Sequence, residues 1–197
     1  PPYRTDIIHE VDLVEEIAIA YGYKNFEPEI SAIATMGEES PLSITKRKIT
    51  ELLFGLQLLE VSSFHVSTKD KQFKSLGIKS FKDKMIEIID SKTEYNILRT
   101  SLLANAIAIL SENSDAAYPQ KFFELGKVFA NNQEKETGIE ETEKICVVLC
   151  SEKSNFTEIK QILDYLTRMI GISYSIEETE HDSFINGRCG KIIMNDK

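Results

Sequence analysis

The chain has 197 residues, 42% of them hydrophobic and 28% charged, enough for one large domain or for one domain with a fragment of another. Its net charge of -9 argues against a broad electrostatic grip on nucleic acid, which needs clustered Lys and Arg. Apolar runs of about five or six residues fall far short of the roughly 20 of a membrane span, and the three cysteines, none in a C-x-x-C pair, make no disulfide framework.

The opening "PPYRTDIIHE" has no basic region followed by an apolar core, so no signal peptide is visible. With Pro1 in place of an initiator Met and an abrupt ending at Lys197, the sequence is expected to be a piece of a longer protein. A reducing cytoplasm fits the free thiols. Next, "VDLVEEIAIAYGY" predicts a helix starting near Asp12, with Val14, Ile17, Ala18 and Tyr21 as a buried stripe and Gly22 as the stop. The following "KNFEPEISAIATMGEESP" breaks all periodicity. Such a long loop is seldom idle inside a compact unit, so residues 25–42 are expected to be a connecting arm between a segment 1–24 and a domain 43–197.

Past Pro41, Ile49, Leu52, Leu53 and Leu56 mark an amphipathic helix closing near Gly55. "LEVSSFHVST" predicts a strand, "KMIEIID" a short strand, and Leu98 to Asn113 a helix rich in Leu, Ile and Ala. "KFFELGKVFA" and "KICVVLCS" are further strands, joined by the acidic loop or hairpin tip "NNQEKETGIEETE"; Cys146 and Cys150 in the second strand are expected to be buried free thiols. In "NFTEIKQILDYLTRMIG", Ile159, Ile162, Leu163, Leu166 and Ile170 line one helix face, Asn155 with Glu158 suggests a capping box, and Gly171 ends the helix. "ISYSIEE" and "GRCGKIIM" are strands, with Asn186-Gly187 suited to a tight hairpin turn. Runs of adjacent strands mixed with helices give an α+β fold with a largely antiparallel sheet.

The candidate chemistry is concentrated near the start. Asp6, Asp12, Glu15 and Glu16 crowd the first helix. A capping box of Asp12 and Glu15, aided by the helix dipole, accounts for two or three of them. Asp6 stands outside it. A hard divalent cation such as Mg²⁺, which takes oxygen ligands, would give all four a joint purpose. Spacing alone favours the cap. His9, His65 and His181 are scattered, without zinc-ligand spacing. Ser63 and His65 have no evident acid partner for nucleophilic chemistry, and Arg99 in "LRTS" is expected to make a helix-start contact rather than a phosphate site.

These segments carry a resemblance. "YRTDI" followed by "VDLVEEIAIAYGY" resembles the end of the small winged-helix-like domain in the phenylalanyl-tRNA synthetase β-subunit family. "YNILRTSLLANAIAILSENSDAAYPQKFFELGKVF" resembles that subunit's pattern of an Arg-Thr-Ser-Leu-Leu helix, a Pro and a Phe-Glu-(Leu/Ile)-Gly strand, and "FTEIK" and "HDSFINGR" are similar to segments of its archaeal and eukaryotic type. The resemblance covers almost the whole chain in order. It implies a class II synthetase-like antiparallel sheet flanked by helices over 43–197, preceded by the end of a winged-helix-like domain. It further implies a Mg²⁺ ion at the contact with the α subunit, held by Asp6, Asp12, Glu15 and Glu16. That metal reading overtakes pure capping once the resemblance is counted. ATP would be used by the whole enzyme, an (αβ)2 heterotetramer charging tRNA(Phe) in the cytoplasm, and not bound by this segment. Class II catalytic domains resemble one another in a Phe-Arg-x-Glu strand motif whose Arg grips the α-phosphate. The matching "FANN", Phe129 to Asn132, lacks that charge, and no Gly-rich phosphate loop appears. The segment is therefore expected to be a non-catalytic module supporting the α-subunit active site. The helix from Leu98 to Asn113 is the candidate contact, because Leu102, Leu103, Ile107, Ile109 and Leu110 cover too much of its circumference for one core. A direct nucleic-acid-binding module and an independent metal-dependent enzyme are the competing readings; the acidic balance opposes the first, and no legible nucleophile supports the second.

Overall fold

The computed structural model describes residues 3–79 and 85–195. The chain divides into two compact units, Pro1–Glu39 and Ser40–Lys197. In the first, α1 (Glu10–Tyr21) is followed by a 3-10 turn at Tyr23–Asn25. Gly22 ends α1 at φ 92°, a conformation that favours glycine. The stripe expected to be buried is open to solvent: Val14, Ile17 and Tyr21 are each more than 60% exposed. A unit built around one helix is too small to close a core over it.

The second unit has the core. Ser40 opens α2 (Pro41–Gly55) by accepting the Ser43 amide on its hydroxyl at 3.2 Å, with Pro41 pre-set in the first turn. Leu53 of α2 is wholly buried and clusters with Leu58, Phe123 and Leu166. The expected strand at 59–68 is divided into β1 (Leu59–Glu60) and β2 (Val66–Ser67). β1 lies parallel to β4 (Gln120–Asn131), while β2 pairs antiparallel with β3 (Ile97–Leu98). The residues between them leave the ladder because Ser63 turns toward Glu124. The "KMIEIID" strand amounts to one bridge, Glu87 to Ile97, and its Lys84 lies outside the described residues.

Because Leu98 is held in β3, α3 starts later than expected, at Leu102, and runs to Glu112 with the Ser101 hydroxyl as its cap. β4 is the middle strand of a three-stranded sheet, β1 on one side and antiparallel β5 (Ile139–Cys150) on the other, with Phe123 opposite Val147. Covered on both faces, β4 is nearly continuously buried from Phe122 to Phe129. The acidic segment expected to be a loop or hairpin tip is a tip only over 132–138; its second half is strand, since β5 begins at Ile139 and pairs Glu140 with Ala130. Helix α4 (Phe156–Ile170) matches its predicted span, with the Asn155 side-chain oxygen accepting the Glu158 amide at 3.1 Å and Gly171 in the left-handed region. β6 (Ser173–Glu178) and β7 (Gly190–Asn195) form an antiparallel pair. Asn186-Gly187 is not their two-residue turn: Gly187 (φ 74°) sits in a smaller turn inside the longer connection, closed by the Arg188 amide on the Ile185 carbonyl at 2.9 Å. Among the described residues no helix is long and apolar enough to cross a membrane.

Candidate functional site

The acidic cluster belongs to the first unit. His9, not Asp12, is the N-cap of α1, accepting the Val11 amide on Nδ1 at 3.2 Å. Asp12 is three residues further in and reaches back, its Oδ2 accepting the amides of Ile8 and His9, both at 2.7 Å. These two donors hold its carboxyl below the usual carboxylate range. The predicted cap was displaced because a carboxylate that satisfies two donors ahead of the helix lets the first turn begin earlier, at Glu10.

Asp6 and Glu16 are brought together by a residue that sequence reasoning passed over. Arg4 donates from Nε to Asp6 Oδ1 at 2.8 Å and from Nη2 to Asp6 Oδ2 at 2.5 Å. The same Nη2 meets Glu16 Oε1 at 2.6 Å. The Arg4 guanidinium pushes the Asp6 carboxyl down to about 2, and the two carboxylates raise Arg4 above its already high value. Exposed Glu15 enters neither the cap nor the Arg4 bridge among the described residues. The four side chains have the donor chemistry of a Mg²⁺ site. Their arrangement does not fit one: two face a guanidinium, one is spent on the cap, and among the described residues no three His, Cys, Asp or Glu are placed to hold an ion.

The "FANN" segment sits at the tip of the β4–β5 hairpin. Ala130 offers only a methyl group, and Asn132 donates its amide to Glu140 at 3.1 Å. Lys127 and Lys46 pair with Glu141 and Glu143 at 2.6 and 3.0 Å. What the hairpin presents is matched charge and carboxylate, the wrong sign for phosphate.

Arg99, expected at a helix start, is instead buried deeper in the second unit. It is 1% exposed and pairs with Glu124, 2% exposed, through Nη1 to Oε1 at 2.6 Å. Its Nε donates to the Lys127 carbonyl at 2.7 Å, and Nη1 also reaches the Ser63 hydroxyl at 2.9 Å. Ser63 therefore does have an acid partner, its hydroxyl donating to Glu124 Oε2 at 2.7 Å, and it accepts from Asn105 Nδ2 at 2.7 Å. Gln72 extends the network, donating to Asn105 Oδ1 at 2.9 Å and accepting the amides of Thr100 and Ser101. A hydroxyl so saturated is a strut rather than a nucleophile. The His65 carbonyl accepts the Arg99 amide at 2.8 Å, while its ring rests edge-on against Phe129 with centroids 5.6 Å apart. No buried side-chain polar atom among the described residues lacks a partner. Gly126 makes this possible: a Cβ there would stand 2.3 Å from Arg99 Nη2. The available signal was one Arg and one Glu set in otherwise apolar strand-like runs, "NILRTS" and "KFFELG".

Cys146, on β5, is half-buried, and burial together with Glu124 pushes its thiol up to about 11. A groove of about 930 Å³ runs beside β5, lined by Leu103 and Ile107 of α3, Val147, Leu149, Phe156 and Phe184. Of the five apolar α3 residues expected to exceed one core, Leu102 is buried and Ile107 is 43% exposed.

The sequence matches the family described as "Phenylalanyl tRNA synthetase beta chain CLM domain" over residues 28–197, and the "tRNA synthetase B5 domain" over residues 1–23. The phenylalanine–tRNA ligase beta subunit of Pyrococcus abyssi is 38% identical over 100% of this chain and 35% of that protein. The corresponding protein of Methanococcus maripaludis is 36% identical, again over 100% of this chain and 36% of its own length. The chain thus spans about a third of the length of these curated relatives. Among solved structures, the pyrrolysyl tRNA synthetase PylSc of Desulfitobacterium hafniense superposes with a TM-score of 0.61 at 14% identity, covering 78% of this chain and 54% of that one. At that identity the likeness shows the fold, that of a class II tRNA synthetase, and nothing more.

Proposed function

Since this chain belongs to the phenylalanyl-tRNA synthetase β-chain family, we propose that it is the part of that subunit which keeps the class II shape without its catalysis and supports an active site carried by the α subunit. The observation that carries this reading is the tip of β4, where Ala130 and Asn132 stand in place of the Arg and Glu of the class II pattern and Asn132 is engaged with Glu140. Arg99 cannot substitute, because all its described bonds run to the protein's own groups. In this reading the whole enzyme is an (αβ)2 heterotetramer in the cytoplasm that uses ATP to attach phenylalanine to tRNA(Phe), and this segment binds no nucleotide. Residues 1–24 are the end of a winged-helix-like domain, 25–42 an arm, and 43–197 the catalytic-like module.

Asp6, Asp12, Glu15 and Glu16 are the residues that would hold Mg²⁺ at the contact with α, in an arrangement other than the one described here. When bound, the ion would supply positive charge to an otherwise acidic contact. Co-purification with the α chain tests the proposal. A longer β subunit carrying this segment pairs with α and supports phenylalanine-dependent pyrophosphate exchange, whereas the segment alone shows no exchange. Exchange by the segment alone would refute the non-catalytic reading. Tight, salt-sensitive binding of tRNA to the segment would favour the nucleic-acid-binding alternative, which the net charge of -9 opposes.

A further inference from the structure

We propose that residues 30–36 are a docking strand, which pairs with an open sheet edge of the α subunit and packs Ile30 and Met36 against it. The inference rests on the reading that this chain works beside α. Arms that only space two bodies are built from Gly, Ser, Pro or charge. This one carries no charge over 30–37, while Glu27, Glu29, Glu38 and Glu39 stand on either side. Residues 27–40 form neither helix nor strand. Ile30, Ile33 and Met36 are 97%, 82% and 99% exposed, an apolar surface with a purpose to find. Among the described residues, 28–38 make one hydrogen bond, the Ile33 amide to the Ser31 hydroxyl at 3.3 Å. The other backbone amides and carbonyls of the arm are open to a partner.

An extended segment with free backbone groups is what strand addition uses: the ladder supplies affinity, and pockets for alternate side chains supply specificity. Alternate residues of a strand share a face. Ile30, Ala32, Ala34 and Met36 therefore make one apolar face, two large anchors with small residues between them. The β-branched Ile30, Ile33 and Thr35 suit a pleated ladder. The four flanking carboxylates select the partner's charge, favouring an edge bordered by Lys or Arg. A second copy of this chain is a poor match. Its net charge is -9, and half of its long edge strand β5 carries Glu140, Glu141 and Glu143. A different chain is required, and α is the one the proposed enzyme supplies.

Hydrogen exchange read by mass spectrometry, on a longer β subunit carrying this segment with and without α, tests this. The amides of 31–36 are expected to exchange at least about tenfold more slowly in the complex than in the free subunit. Ile30→Asp and Met36→Asp are each expected to weaken pairing with α about tenfold, the scale of losing one buried apolar side chain. Ser31→Asp adds the same charge on the opposite face and is expected to weaken it much less. Slowed exchange together with weakened pairing in both apolar variants supports the docking strand. Unslowed exchange in a formed complex, natural pairing strength in either apolar variant, or equal weakening by Ser31→Asp overturns it and leaves the α-subunit reading intact. Amides already slow in the free subunit overturn it as well, with concentration dependence marking a second copy as the occupant. Failure of the natural β subunit to pair with α removes that reading and this inference with it.

Discussion

Two arginines, one in each unit, face carboxylates at almost the same distance and do opposite things. Arg4 meets Glu16 at 2.6 Å with both side chains well exposed, and Arg99 meets Glu124 at 2.6 Å with both nearly sealed from solvent. Exposed pairs exchange freely with water and salt. A buried pair is different: its net value is small, but loss of one partner strands the other charge in a low-dielectric interior. Distance does not distinguish a replaceable counter-ion from a structural one; burial and the remaining hydrogen bonds do.

The largest test of that contrast is Glu124→Gln, which leaves Arg99 buried without its carboxylate and is expected to cost roughly 3–5 kcal/mol in urea unfolding. Combining it with Arg99→Met is expected to cost less than the two single changes added together, and strict additivity would dissolve the claim that they act as a unit. Next is Gly126→Ala. Its methyl group must push Arg99 Nη2 away from a 2.3 Å approach, a loss of about 1–3 kcal/mol typical of overpacking, read from the same urea curves.

The smallest effect belongs to Asp6. Its carboxyl is held at about 2 against an ordinary 3.8, so its stabilising contribution is present above 3.8 and is lost as pH falls through about 2. Carboxyl-carbon NMR should place the Asp6 midpoint near 2, returning toward 3.8 in Arg4→Ala. A midpoint unmoved by that substitution would break the link between the two residues.

How much of this could be read from the residues alone depended on the range of the interactions. Helix α4 was legible because its apolar face, its Asn155 cap and its Gly171 stop are all written within seventeen neighbouring residues. β4 and β5 were legible as strands, yet the hairpin's reach was not, because Glu140, Glu141 and Glu143 look like loop until pairing puts them on a ladder. The four carboxylates were legible as neighbours in sequence near one helix start, but the structure does not gather them into one arrangement. Their partners were missed, since Arg4 closes on Glu16 across twelve positions and Asp12 turns back past His9. The Arg99 network was invisible for the same reason on a larger scale: its members come from residues 63, 72, 99, 105 and 124. Local periodicity reports which residues are apolar, and says nothing of which charges meet.

The bare backbone at Gly126 bears on how such a chain can change over generations. Any side chain there collides with Arg99, the loss of Arg99 strands Glu124, and the loss of Glu124 strands Arg99. Each one-step route out of the trio passes through a poorly folded intermediate, so drift is blocked unless several codons move at once. A fold can therefore be compelled to keep buried charged residues by their dependence on one another, whatever reaction it does or does not perform.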